Sequence, residues 1–92
     1  MYQLRLHRQV NKDFRRIGKQ NSLRIRRHIE THLLHSPFVA GKALSGDLQG
    51  LWSFRVGSFR IIYETLWDGV VYILLISHRK DVYNEIKRRL GV

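Results

Sequence analysis

Two glycine-bearing dipeptides, Gly57-Ser58 and Asp68-Gly69, constrain this chain more than any other feature. Each interrupts a run rich in Val, Ile, Phe, Tyr and Trp, whose branched or aromatic side chains suit a pleated, half-buried surface. A two-residue loop between strands needs positive φ at one or both positions, which glycine adopts at little steric cost. The segment LWSFRVGSFRIIYETLWDGVVYILLISHRKDVY, residues 51–83, therefore reads as three antiparallel strands joined by two tight turns.

The turns also set the register. With Gly57-Ser58 at one tip, Val56 faces Phe59, Arg55 faces Arg60 and Phe54 faces Ile61. With Asp68-Gly69 at the other, Arg60 faces Ser77 and Phe59 faces His78. Side chains alternate between sheet faces. One face then collects Trp52, Phe54, Val56, Phe59, Ile61, Tyr63, Tyr72, Leu74 and Ile76 as a core. The opposite face collects Leu51, Ile62, Val71, Ile73 and Leu75, and its end near the first turn holds Ser53, Arg55, Arg60 and Ser77, with Arg79 just beyond. Like charges directly opposite destabilise a sheet. The Arg55–Arg60 pair is either an anion site or two long side chains splayed into water.

Charge narrows the class of partner. Seventeen Lys and Arg against seven Asp and Glu give +10, a balance that attracts nucleic acid, anionic lipid or an acidic protein. No predicted helix carries a broad exposed apolar face, which leaves nucleic acid or an acidic protein. The 92 residues, 43% of them apolar, suffice for one small domain, 1–92, with a single core. Cysteine is absent, which excludes disulfides and cysteine-bearing zinc sites. The apolar run Val70 to Ile76 is far short of a membrane span, and the N-terminus lacks the apolar block of a secretory signal. A cytoplasmic protein is the expectation.

The flanks supply helices. Tyr2 to His7 alternates as a first strand; Val10, Phe14 and Ile17 then form a helical stripe that Gly18 stops. Asn21 or Ser22 is expected to cap a second helix running to about His35, with Ile25, Ile29, Leu33 and Leu34 inward and Ser36-Pro37 ending it. His28, His32 and His35 lie on one side of it; His28 and His32 have the i, i+4 spacing that metal sites use, but no third ligand is evident for that pair, and the three read as a polar helix edge. Val39 to Gly50 reads as a connector without a phosphate-loop pattern; its Lys42 is a candidate ligand contact. Asp81 can cap a last helix to Leu90, striped by Val82, Ile86 and Leu90. The predicted order is β-α-α-β-β-β-α. That is an α+β fold: a small antiparallel sheet of about four strands, a helical hairpin on one face and a short C-terminal helix.

The site chemistry follows from the cations. Arg55, Arg60 and Arg79 gather beside Tyr83, His78 and Lys80, with no paired carboxylates for glycoside hydrolysis and no Ser–His–Asp set. A cationic pocket with a phenol suits phosphodiester chemistry on RNA, whose 2′-OH can attack the adjacent phosphate without a metal. The protein must hold that geometry and stabilise charge on the phosphorane. Arginine does both through bidentate contact with phosphate.

The run LSGDLQGLWSFRVGSFRIIYE and the tail ILLISHRKDVY, together with the element order, resemble the RelE branch of the RelE/ParE toxin superfamily over nearly the whole chain. The RIIYE strand and the HRKDVY segment carry the likeness most specifically. The resemblance implies a type II toxin that cleaves mRNA in the ribosomal A site and inhibits translation, with no metal or cofactor. It implies an acidic, partly disordered antitoxin, through which the complex would bind its own operator. By position, Arg60 would hold the scissile phosphate, Arg79 would stabilise charge or protonate the leaving group, and Tyr83 would lie near the attacking 2′-OH. Arg55 and Ser53 stand where members of the family carry two lysines. Arg55 keeps the charge and Ser53 does not, leaving His78 or Lys80 as substitutes for a basic role. Two other readings share the composition: a ParE-like, non-nuclease inhibitor of DNA gyrase, and a basic RNA- or ribosome-binding module without catalysis.

Overall fold

A computed structural model describes all residues, 1–92. Its elements are β1 (Gln3–Leu6), α1 (Val10–Ile17), α2 (Lys19–His28), α3 (Pro37–Ala40), β2 (Lys42–Ala43), β3 (Trp52–Val56), β4 (Phe59–Leu66), β5 (Val70–His78) and α4 (Val82–Leu90). The α+β class, the helical hairpin and the C-terminal helix are as expected. The sheet has five strands rather than about four, in the order β1-β5-β4-β3-β2. It is mixed, because β1 runs parallel to β5. The added strand is β2, two residues of the predicted connector that pair with β3. Its approach depends on Gly41: any Cβ there would collide with the Tyr63 hydroxyl and come within 2.9 Å of the Ser53 carbonyl oxygen.

The turn signals gave the correct pairing near the first turn. Arg55 faces Arg60, Phe54 faces Ile61, Arg60 faces Ser77 and Phe59 faces His78. Farther along, the ladder slips. Ile62 faces Leu75, but Tyr63 faces Ile73, which leaves Leu74 as an extra residue. Such a bulge reverses the facing of everything beyond it. Val71 and Ile73 therefore join the core under the hairpin, while Tyr72 and Leu74 join the α4 side, the opposite of the uninterrupted alternation.

Nor is there a single core. Thirteen buried residues, among them Val10, Phe14, Ile25, Ile29, Leu33, Ile61 and Ile76, pack between the sheet and the helical hairpin. Seven others, including Ile62, Leu75, Val82 and Ile86, pack beneath α4.

The hairpin's junction also differs from expectation. Helix α2 starts directly after Gly18, whose φ of 90° suits glycine, and has no side-chain cap. Asn21 and Ser22 instead donate to α1: Asn21 Nδ2 to the Ile17 carbonyl at 2.9 Å and Ser22 Oγ to the Phe14 carbonyl at 2.7 Å. They satisfy carbonyls that α1's own ladder leaves without partners. Beyond His28 the helix widens into a π-helical turn, Ile29–Leu33, which buries both Ile29 and Leu33. Pro37 ends this hairpin as expected and opens α3.

Candidate functional site

The candidate site is the polar end of the sheet face that α4 covers. Lys42 lies opposite Ser53, Arg55 opposite Arg60, and Arg60 opposite Ser77. Directly opposed residues share a face, as do Ser53 and Arg55 two positions apart. These five side chains therefore form one polar row across β2, β3, β4 and β5. Ile62 and Leu75 continue the same face and lie under Val82 and Ile86 of α4. Apolar burial of this helix thus places its first turn, with Tyr83, at the edge of the row.

Ser53 and Ser77 are buried, at 3% and 2% exposure, Arg60 is half-buried and Arg55 is exposed. Arg60 Nη1 lies 3.4 Å from Ser53 Oγ. Arg55 Nε donates to the Gly57 carbonyl at 3.3 Å. The backbone N–H of Arg79 donates to the Ser58 carbonyl at 2.8 Å, pinning the start of the β5–α4 connection to the β3–β4 turn. Arg55, Arg60 and Arg79 are thus gathered around one turn, with no carboxylate in ion-pairing contact with any of them. Tyr83 is 39% exposed.

His78 falls outside the row. It pairs with Phe59 across the ladder and so lies on the opposite face, where the two rings meet edge-on at 5.9 Å. Its Nδ1 accepts the Lys80 backbone N–H at 3.2 Å. Lys80 is exposed in the turn that leads to α4. No three His, Asp or Glu side chains are grouped so as to hold a metal ion, and no helix is long and apolar enough to cross a membrane.

Four residues that position the site were not singled out in the sequence. Glu85 accepts from Ser77 Oγ at 2.8 Å and from Arg16 Nη2 at 3.1 Å, linking α4 to the polar row and to α1. Asp13, only 2% exposed, accepts from Arg89 Nη1 at 2.7 Å, Arg89 Nη2 at 2.9 Å and the Ile76 backbone N–H at 3.1 Å. Arg89 Nη1 also donates to the Leu74 carbonyl, at the bulge, at 2.8 Å. A bidentate pair with its remaining lone pairs satisfied is the geometry in which buried charges are tolerated. A signal for Asp13 existed: it falls three residues after Val10, inside the apolar stripe of α1. Arg89 likewise occupies the stripe of α4, whereas Leu90, expected there, is 39% exposed.

His7 borders this clamp. Burial, then the charges of Arg89 and Arg8, push its pKa below the ordinary 6.5, and Asp13 opposes them.

Comparison with known proteins agrees with this architecture. Residues 4–83 match the family described as "ParE toxin of type II toxin-antitoxin system, parDE". The chain is 30% identical over 86 residues to toxin RelE1 of Methanocaldococcus jannaschii, covering 89% of this chain and 94% of that protein. It superposes on the toxin–antitoxin complex RelBE2 from Mycobacterium tuberculosis with a TM-score of 0.79 at 25% identity, covering 85% of this chain and 98% of that one. For the isolated E. coli RelE toxin the TM-score is 0.70 at 20% identity, with 98% and 99% covered, a likeness of fold.

Proposed function

The chain belongs to the RelE/ParE toxin superfamily of type II toxin–antitoxin systems, and from that membership we propose that it is a metal-independent endoribonuclease that cuts mRNA in the ribosomal A site. The observation that carries this reading is the opposed pair Arg55–Arg60, neither in ion-pairing contact with a carboxylate, with Arg79 pinned to the adjoining turn and Tyr83 in the first turn of α4. Direct opposition of two like charges across a ladder costs stability unless an anion lies between them, which sets Arg55 and Arg60 apart from the other unpaired arginines.

In this mechanism Arg60 holds the scissile phosphate. Arg79 and Arg55 face the charge that accumulates on the phosphorane as the 2′-oxygen attacks and the 5′-oxygen leaves. Donors already in place when that charge develops lower the barrier without reorganising. Tyr83 orders the nucleotide carrying the 2′-OH. Ser53 lacks the basicity of an amine and serves here to orient Arg60 through its 3.4 Å contact. Lys42, opposite Ser53 in β2, and Lys80, exposed in the β5–α4 turn, are further RNA contacts in this reading. His78, on the far face, contributes through the Phe59 edge rather than as a base. An acidic antitoxin that docks along the basic surface and covers or displaces α4 is the partner proposed. Co-expression with a neighbouring acidic reading frame should yield one complex on gel filtration; separate peaks would remove that partner.

To test the activity, a reporter mRNA is translated with the purified chain and its 5′ ends are mapped. Codon-positioned cuts are expected, falling by roughly 100-fold or more with Arg60→Ala, as for loss of a main charge-stabilising donor. The match to a family described by ParE favours one second reading, a gyrase inhibitor without nuclease activity. Inhibited supercoiling with intact mRNA would establish that reading in place of the first.

A further inference from the structure

Two of this protein's twelve arginines are ion-paired. Arg16 and Arg89 are paired with Glu85 and Asp13 and fasten α4. Arg55 and Arg60 lie on the strands that the β3–β4 turn joins, and the Arg79 backbone is pinned to that turn, all three without a carboxylate partner. A fourth guanidinium joins them from the opposite side of the sheet. The Arg24 side chain, from α2, lies against the turn so closely that a Cβ at Gly57 would stand 2.8 Å from its Nη1 and 3.2 Å from its Cζ. The turn at Gly57 is thus flanked by Arg55, which donates to its carbonyl, and by Arg24, while Arg79 is pinned to Ser58. Neither ion pairing nor a side-chain hydrogen bond accounts for Arg24 there.

We infer that Arg24 forms a second phosphate-binding position, and that single-stranded RNA runs over the β3–β4 turn from the Arg60 side of the sheet to the helical-hairpin side. This rests on the RNA reading of the Arg60 site and extends it. One phosphate satisfies cations on one face of a sheet. Cations on both faces, joined around an exposed two-residue turn, match a chain that carries a negative charge at every nucleotide. The small turn matters to this arrangement. Gly57 has φ of 59°, and its missing side chain leaves room for the Arg24 guanidinium to lie beside the backbone that the RNA would cross.

The test uses the full chain and fluorescein-labelled single-stranded RNA, with affinity followed by anisotropy across a salt series. One phosphate contact to a single strand contributes about 0.7 to the slope of log K against log salt. Arg24→Ala should therefore lower the slope by about 0.7, which is about fourfold in affinity at 0.15 M salt, and Arg24→Lys should restore most of it. A dinucleotide, too short to cross the turn from the Arg60 site, should bind Arg24→Ala and the parent chain alike. An unchanged slope for the longer RNA overturns the inference. So does an equal weakening of dinucleotide and longer RNA, which would mark a general loss of positive field. Wild-type protein that binds neither RNA overturns the inference, while absence of A-site cuts in the translation assay overturns the ribonuclease reading separately. Wild-type binding with no effect of Arg24→Ala overturns the inference alone.

Discussion

At the scale of single residues, charge decides more than size. His7 is half-buried, with Arg89 and Arg8 nearby, so its imidazolium is disfavoured by burial first and by two positive neighbours second. In the unfolded chain it titrates near 6.5, and in the folded chain lower, so between those values the unfolded state binds more protons. Stability therefore rises with pH through that window and is lost as pH falls from about 6.5 toward the folded value. Urea midpoints measured from pH 7.5 to 5 should decline over this range, and His7→Gln should flatten the decline; an identical profile would remove His7 as its origin. Arg55 and Arg60 show what was legible at this scale. Two short turns determine which residue opposes which, so a like-charged pair could be read from spacing alone. Arg24 could not be found in that way, because its contact with Gly57 depends on how a helix lies over a turn distant in the chain.

At the scale of elements, α4 is the part whose placement most affects the site. Val82 and Ile86 are fully buried, and two such side chains contribute roughly 3–6 kcal/mol of apolar burial. That interaction is non-directional and leaves the helix free to slide. The directional restraints are Glu85 on Ser77 and Arg16, and Arg89 on Asp13 and the Leu74 carbonyl. Together they fix the register of α4, whose first turn carries Tyr83. Asp13→Asn keeps the shape but removes the anion, leaving Arg89, whose side chain is 12% exposed, without its counter-charge. Breaking a buried pair from one side costs about 3 kcal/mol or more. Urea denaturation should show a loss of that size, and hydrogen exchange in α4 should rise. A loss below about 0.5 kcal/mol, the range of ordinary surface substitutions, would mean that the pair does not fasten the helix. The bulge at Leu74, where Arg89 docks, was not legible. Val70 to Ile76 is apolar at every position, so no alternation marks where the strand slips, and turn-based counting assumes an unbroken ladder. Asp13 was visible within an apolar stripe, but its meaning required Arg89, distant in sequence.

At the scale of the whole molecule, one end of the sheet carries the opposed arginines Arg55 and Arg60, and apolar packing occupies the middle of both faces. Helices α1 and α2 cover one face and α4 the other, and the Arg55–Arg60–Ser77 row lies at the end of the α4 side near that helix's first turn. The class and element order were legible because hairpin turns and helical stripes are local signals. The parallel placement of β1 beside β5 and the two-residue β2 were not, since each is decided by partners far along the chain. Basic composition pointed to an anionic partner without identifying it; the opposed Arg55–Arg60 pair is what supports the proposed phosphodiester chemistry. The central claim, attack by a 2′-OH at this row, is tested most directly by the ends of the products. Purified ribosomes carrying a defined mRNA are incubated with the chain, and the fragment ends are analysed. The account predicts A-site cuts leaving a 5′-hydroxyl and a 2′,3′-cyclic or 3′-phosphate, lost with Arg60→Ala. Fragments with 5′-phosphate and 3′-hydroxyl ends, or cuts undiminished by Arg60→Ala, would contradict it.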